Sequence, residues 1–268
     1  MLSVLLSVYK NERPEFLDHA LTSIYDDQQL KPDQIVLVKD GILTPELESV
    51  VTAWQEKIGD VLAVVALRQN VGLGVALNEG LKYCKHELVA RMDTDDVALP
   101  DRFAKQVEFM QASPDIVASS AILEEWDSGL QKKQGVRHLP LEPDAVLKFA
   151  KRRSPLSHPV AIFRKKIVLD YGGYPPLRKS QDYALWSLLL SKGHKLANLP
   201  DVLLKMRTGN EMLGRRGWDY FKQEYRLLKY QREIGFLSYS GFIVNVLLKG
   251  GLRVAPDFVK RWAYRFAR

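Results

Sequence analysis

Six consecutive residues, Arg91-Met92-Asp93-Thr94-Asp95-Asp96, place three carboxylates within four positions. Like charges so close raise one another's pKa values, and they stay ionised at least cost with a cation among them. The neighbourhood offers hard oxygen ligands and no cluster of Cys or His, a donor set suited to Mg²⁺ or Mn²⁺ rather than zinc. Such a cation normally completes its shell with water and substrate phosphates. A solvated acidic turn would use the same residues, and the hexapeptide alone does not choose between the two.

The elements that present this loop can be read from periodicity. Leu88-Val89-Ala90 is a short apolar run that reads as a buried strand, so the acidic cluster lies at its carboxyl end. In open α/β sheets ligands bind at that edge. Earlier strands are expected at 3–8, 34–38 and 61–67, alternating with helices at 15–24, 45–58 and 73–83. That alternation predicts a parallel sheet flanked by helices on both faces. Further along, a helix is expected to about Met110, an antiparallel pair at 116–123 and 130–136, and a helix over 142–153. A short strand at 160–163, a helical turn at 167–171, a strongly helical 182–192 and a last strand at 195–206 follow.

Each early strand ends in polar residues. Tyr9 can stack on a base, and Asp40 can accept from a ring N–H or a ribose hydroxyl. Arg68 and Asn70 supply charge and hydrogen bonds, while Gly72 and Gly74 permit close backbone approach. Singly, each is an ordinary loop residue; in succession they resemble a site for a nucleotide and a metal. No Gly-x-Gly-x-x-Gly follows the first strand, and no Gly-x-x-x-x-Gly-Lys-Ser/Thr occurs, so neither a dinucleotide site nor a P-loop is supported.

The bulk properties are those of a soluble globular chain: 268 residues, 46% hydrophobic, 26% charged. The lone Cys84 excludes an internal disulfide framework and suits a reducing compartment. The N-terminus reads as a first strand rather than a signal peptide, and the apolar stretch 234–248 is too short to span a bilayer. The net charge of +7 is uneven, with 14 Lys/Arg against 5 Asp/Glu in residues 205–268. This asymmetry predicts a basic appendage facing an anionic surface, membrane or nucleic acid. In the tail, Phe258, Trp262 and Phe266 share one helical face and Lys260, Arg261 and Arg268 lie mostly on the other. An amphipathic basic helix of that kind suits an anionic membrane surface, although it could also pack back on the body.

An ordered series of segments gives the chain a specific resemblance. They are Ser7-Val8-Tyr9-Lys10-Asn11-Glu12, Lys39-Asp40-Gly41, Asn70-Val71-Gly72-Leu73 with Ala76-Leu77-Asn78 and Gly80-Leu81, and Met92-Asp93-Thr94-Asp95-Asp96 with Pro100-Asp101-Arg102. Ser157-His158-Pro159 with Phe163-Arg164-Lys165, and Gln181-Asp182-Tyr183 with Trp186, complete it. Over roughly its first 210 residues the chain resembles an inverting family-2 glycosyltransferase of the bacterial surface-polysaccharide type.

The resemblance implies the GT-A nucleotide-diphospho-sugar transferase fold, an α/β fold whose mixed, mostly parallel sheet is flanked by helices. It divides the chain into a catalytic domain, 1–210, with a nucleotide half at 1–100 and an acceptor half at 101–210, and a basic helical extension at 211–268. Asp93-x-Asp95 would be the family's Asp-x-Asp motif, with Asp95 on Mn²⁺ or Mg²⁺ and Asp93 at the ribose or the metal's shell. Ser7, Tyr9, Glu12, Asp40, Arg68, Asn70, Gly72 and Thr94 would join Asp93 around the donor nucleotide. Asp96 could be a further ligand, but pairing with Arg102 is the favoured expectation. Asp182 would be the base, although it could also simply cap its helix; Gln181 stands where relatives carry a first carboxylate. His158, Gln181, Trp186, Arg215 and Arg216 would lie near the donor sugar or acceptor. The implied partners are a UDP-sugar, a lipid-linked oligosaccharide and an anionic membrane surface, with no nucleic acid. The implied location is peripheral, on the cytoplasmic face of the inner membrane. A nucleotide-sugar-forming nucleotidyltransferase and a non-catalytic binding protein are the alternatives. The former lacks its glycine-rich loop here, and the latter leaves Asp93, Asp95 and Asp182 without a joint purpose.

Overall fold

A computed structural model describes residues 1–209 and 218–254. The first half follows from runs of branched aliphatic residues separated by amphipathic helices. Strand β1 (Leu2–Val8) is buried along nearly its whole length, as are β2 (Gln34–Lys39) and β4 (Leu88–Arg91). Such double-sided burial requires helices on both faces. These are α1 (Pro14–Tyr25), α2 (Pro45–Ile58) and α3 (Leu73–Leu81), with β3 (Leu62–Ala66) between the last two. Helix α2 begins with Pro45 in its first turn and Thr44 Oγ1 accepting from Leu47 N, a common N-terminal arrangement.

The pairings β3-β2-β1-β4 are all parallel, in register Leu5 with Val36 and with Arg91. Their carboxyl ends therefore share one edge. Beyond them come β5 (Val97–Ala98), α4 (Arg102–Ala112), β6 (Ile116–Trp126), β7 (Lys133–Arg137) and α5 (Pro143–Ala150). The chain continues through β8 (Ile162–Arg164), α6 (Lys165–Asp170), α7 (Gln181–Ser191) and β9 (Lys195–Arg207), ending in α8 (Trp218–Glu233) and α9 (Tyr239–Val254).

The sheet runs β3-β2-β1-β4-β8-β6-β9-β5, with β7 on β6. The β8 pairings to β4 and β6 are antiparallel, whereas β6 and β9 run parallel over most of their length. The sheet is thus mixed and mostly parallel, and it passes without a break from the first hundred residues into the next. The expected elements are present with ends moved by one to three residues; the expected strand at 160 starts at Ile162, because His158–Val160 forms a 3₁₀ turn.

Alternating strand residues fill two cores. Val4, Leu6, Ile35 and Leu37 pack with Leu17, Leu21, Leu47 and Trp54 of α1 and α2. Leu5, Val36 and Val38 face the other way, toward Ala76 and Leu77 of α3, Trp186 and Leu189 of α7, and Leu228, Phe236 and Leu237. The segment after β9 therefore shares the second core through Leu228, Phe236 and Leu237. The expected amphipathic helix at 257–268 lies outside the described residues.

Candidate active site

The shared carboxyl edge opens into a cleft of about 870 Å³. Ser7, Tyr9, Glu12, Asp40, Asn70, Gly72, Asp93, Thr94, Asp95, His158 and Asp182 all line it. These residues come from six segments separated by up to 175 residues, and the first four meet there because the parallel strands end together.

At one end stands the half-exposed Tyr9, with Asp40 buried beside it. The Asp40 carboxylate accepts from Val71 N at 2.7 Å, Gly72 N at 3.1 Å and Asn70 Nδ2 at 3.0 Å. It therefore ties the loop after β3 to the end of β2. Gly41 allows this: its φ is +92°, and a Cβ there would stand 2.8 Å from Asn70 N. Arg68 is exposed and is not among the cleft-lining residues. The structure does not bring it together with the other expected nucleotide residues in the cleft. Arg13, Arg137 and Arg207 supply the cleft's cationic groups instead.

The acidic loop follows β4. Asp93, Asp95 and Asp96 bring one carboxylate oxygen each within 4.8 Å of one another. Arg91, fully buried at the end of β4, donates from Nη2 to Asp93 Oδ1. Thr94 Oγ1 donates to Glu12 Oε2 at 2.7 Å, joining the loop after β1 to the acidic loop. Burial, then the charges of Asp93 and Glu12, push Asp95 up to about 7. Burial, then the charges of Asp93 and Asp95, hold Asp96 well above the usual carboxylate range, and its Oδ2 is buried without a hydrogen-bond partner. Crowded oxygens, two raised pKa values and an orphaned carboxylate oxygen fit a hard divalent cation; Asp93 and Asp95 are the partly exposed members of the group and Asp96 the buried one.

Asp96 does not pair with Arg102 as expected. Arg102 Nε donates to Gln106 Oε1 at 3.0 Å and its Nη2 to Arg91 O at 2.5 Å. Asp96 Oδ1 instead accepts from Arg207 N at 2.9 Å. Arg207, the last residue of β9, also donates to Asp95 O and to Ser128 O, and stacks 4.2 Å from the Phe16 ring. Sequence reasoning gave Arg207 no role; its position at the end of the last strand was the available signal.

Asp182 reaches the cleft from the first turn of α7, which starts after Ser180 in a left-handed conformation. Burial raises its pKa, and the backbone N–H groups of Tyr183 and Asp182 draw it only partly back. His158 is also at the cleft, with Nε2 3.0 Å from the Tyr174 hydroxyl. Burial, then Arg91, hold it well below its ordinary value, so it is a neutral imidazole. Gln181 and Trp186 do not reach the cleft. Gln181 is turned against α3, its Cγ 3.2 Å from where a Cβ on Gly74 would be. Trp186 is fully buried one turn below Asp182, against Phe163 and His158. Arg215 and Arg216 lie outside the described residues.

Residues 3–172 match glycosyl transferase family 2. The chain is 41% identical over 268 residues to the amylovoran biosynthesis glycosyltransferase AmsE of Erwinia amylovora, covering 98% of each. It is 34% identical to the UDP-Gal:alpha-D-GlcNAc-diphosphoundecaprenol beta-1,3-galactosyltransferase of Escherichia coli, covering 98% of this chain and 94% of that one. Among solved structures, residues 1–349 of S. aureus TarS in complex with UDP superpose with a TM-score of 0.63 at 18% identity, covering 91% of this chain and 69% of that one. The chain spans 39% of the whole TarS chain. The Pyrobaculum calidifontis mannosyltransferase PcManGT, in complex with GDP-Man and Mn²⁺, gives 0.60 at 17% identity, covering 99% and 79%. The chain therefore belongs to glycosyl transferase family 2 and is a glycosyltransferase built on the GT-A fold.

Proposed function

We propose that the protein is an inverting, divalent-cation-dependent enzyme that moves a hexose or N-acetylhexosamine from a UDP-sugar to a hydroxyl of a lipid-linked oligosaccharide in bacterial surface-polysaccharide synthesis. The observation that carries this reading is one cleft in which a cation-suited acidic loop and a separate, desolvated carboxylate, Asp182, both open. Relatives named for polysaccharide synthesis, and one named for a UDP-sugar donor and a diphosphoundecaprenol acceptor, support the donor and acceptor classes.

Tyr9 stacks on the base, and the remaining lone pair of Asp40 reads its edge or the ribose, while Ser7, Asn70 and Gly72 line the same end. Asp95 and Asp93 would hold Mn²⁺ or Mg²⁺, which when bound supplies positive charge to the departing diphosphate. Thr94, fixed by Glu12, keeps the loop in place. Asp182 takes the proton of the acceptor hydroxyl as that oxygen forms its bond to C1; the C1–oxygen bond to UDP breaks, and the configuration inverts. A carboxylate with a raised pKa is a stronger base than an ordinary aspartate. His158, neutral and pinned by Tyr174, shapes the cleft on the Asp182 side.

No described helix is long and apolar enough to cross a membrane. Access to a lipid-linked acceptor would therefore be peripheral, from the cytoplasmic side of the membrane, with the basic residues 205–268 toward anionic lipid. The test is incubation with UDP-hexoses and UDP-N-acetylhexosamines in Mn²⁺ or Mg²⁺. Release of UDP that stops on chelation is expected; pyrophosphate chemistry, or no turnover of any donor, would overturn the reading.

A further inference from the structure

His158 is the imidazole of the cleft, and the hydrogen bonds around it decide which nitrogen carries the proton. Its Nε2 lies 3.0 Å from the Tyr174 hydroxyl, and the two rings meet edge to face with centroids 5.5 Å apart. Tyr174 is 2% exposed, so its hydroxyl is shut off from bulk solvent. Among the described residues, His158 Nε2 is the only hydrogen-bond partner of that hydroxyl. Were Nε2 to carry hydrogen and donate, the phenolic O–H would be buried with no acceptor, a costly arrangement. The hydroxyl therefore donates and Nε2 accepts. Burial keeps the imidazole neutral. A neutral ring has a single N–H, which leaves the hydrogen on Nδ1.

Nδ1 is the free end of the ring. It makes no hydrogen bond to a described residue, and it is not sealed from solvent. His158 lines the cleft, so this N–H opens there. Trp186 closes another flank of the ring, with centroids 6.4 Å apart.

Tyr174 is held in turn by α3. Asn78 Nδ2 donates to Tyr174 O at 2.9 Å and Asn78 Oδ1 accepts from Tyr174 N at 2.7 Å, a two-point clamp across 96 residues. Gly173 makes room for it: its φ is +77°, and a Cβ there would collide with the Asn78 amide. The same helix is tied to the other end of the cleft, where Gly72 N, at its start, donates to Asp40. In its first turn Gly74 packs on Gln181, the neighbour of Asp182. One rigid element thus sets the place of the imidazole relative to both the nucleotide end and the candidate base. The transferred sugar belongs in that interval, because its C1 must lie between the diphosphate and the base.

We propose that Tyr174 locks His158 as the Nδ1–H tautomer, and that this N–H donates to an oxygen of the transferred sugar. With the site read as a UDP-sugar cleft, as above, His158 becomes a specificity-determining residue and Tyr174 the residue that positions its proton. A fixed donor selects ligands that present an acceptor oxygen at that point.

The test joins a spectroscopic and a binding measurement. Long-range proton–nitrogen NMR of histidine-labelled protein at neutral pH reads which ring nitrogen bears hydrogen, the His158 signal being the one lost in its variants. Wild type should show hydrogen on Nδ1 alone, and Tyr174→Phe should lose that preference. Calorimetry in Mn²⁺ then compares UDP with UDP-hexoses and UDP-N-acetylhexosamines. His158→Gln, whose amide reaches the Nε2 position, should weaken the tightest UDP-sugar about tenfold and leave UDP unchanged. His158→Asn, which returns an N–H to the Nδ1 position, should recover most of that loss. An Nε2–H ring in wild type, or the same tautomer in Tyr174→Phe, would overturn the lock. Equal losses for UDP and UDP-sugar, or equal losses in the Asn and Gln variants, would overturn the sugar contact. If wild type binds no UDP-sugar, the catalytic reading fails and the contact with it. An Nε2–H ring in a protein that does bind UDP-sugars overturns the tautomer assignment alone.

Discussion

Arg91 donates to Asp93 from a site with no solvent exposure, and its Nε and Nη1 are buried without partners. The guanidinium is a fixed positive charge beneath the acidic loop. It opposes the rise in Asp95 and Asp96, and adds to the depression of His158.

Arg91→Met removes that charge while filling the space. In metal-free buffer the variant should be destabilised by about 2 kcal/mol at about pH 7.5, because Asp93 is partly exposed and a wholly buried pair would cost more. At about pH 5, where the carboxylates take up protons, the loss should shrink. Urea denaturation at both pH values checks this; an equal loss at both would mean that Arg91 acts only by packing.

Chelation should reverse the pH dependence of stability. Asp95 has its folded pKa raised from 3.8 to about 7, so the metal-free fold holds this proton more tightly than the unfolded chain. The associated stability is present below the unfolded value and is lost as pH rises through about 7. Melting temperatures in EDTA should therefore fall between about pH 5 and pH 7.5, and saturating Mn²⁺ should restore the upper value. Asp95→Ala should abolish both the Mn²⁺ effect and Mn²⁺-dependent UDP binding by calorimetry; equal UDP affinity in the variant and wild type would defeat the metal assignment.

Asp182→Asn should bind UDP normally and lose roughly 10³-fold in turnover, the range of a general base. In wild type the acid limb of kcat against pH should lie above the ordinary aspartate range, since burial raises Asp182 and the deprotonated form is the active one. Near-normal turnover in Asp182→Asn, or an acid limb at the ordinary value, would remove it from that role.

Arg207→Ala should cost about 1 kcal/mol in urea denaturation, given that the side chain is only half buried. It should also weaken Mn²⁺ binding although Arg207 carries no ligand atom, because the loop loses its tie at the Asp95 carbonyl. Unchanged Mn²⁺ affinity would limit Arg207 to the fold.

Much of this architecture is legible in the sequence. Runs such as Leu2–Val8 and Gln34–Lys39 read as buried strands, their alternation with helices makes them parallel, and parallel strands deliver their following residues to one edge. Tyr9, Asp40, Asn70 and the acidic loop meet for that reason. The contacts that escape sequence reasoning are long-range. Asp96 lies 111 residues from Arg207, and the nearer Arg102 looked the better partner because only local spacing was available. Trp186 shares a helical face with Asp182, but one turn along that face leads down into the core. Arg91 stood inside the most conspicuous segment, yet whether an arginine at a strand end turns inward or outward is decided by tertiary packing.

The Asp40 carboxylate, holding three donors of its own chain, makes the Tyr9 end of the cleft a finished structure on its own. The acidic loop is in the opposite condition, electrostatically incomplete on its own. A nucleoside diphosphate whose base is held at the rigid end would place its diphosphate charge beside the acidic loop, and a cation held by that loop would strengthen the binding of the diphosphate. Nucleotide and metal affinities should accordingly rise together and by the same factor, whichever is added first.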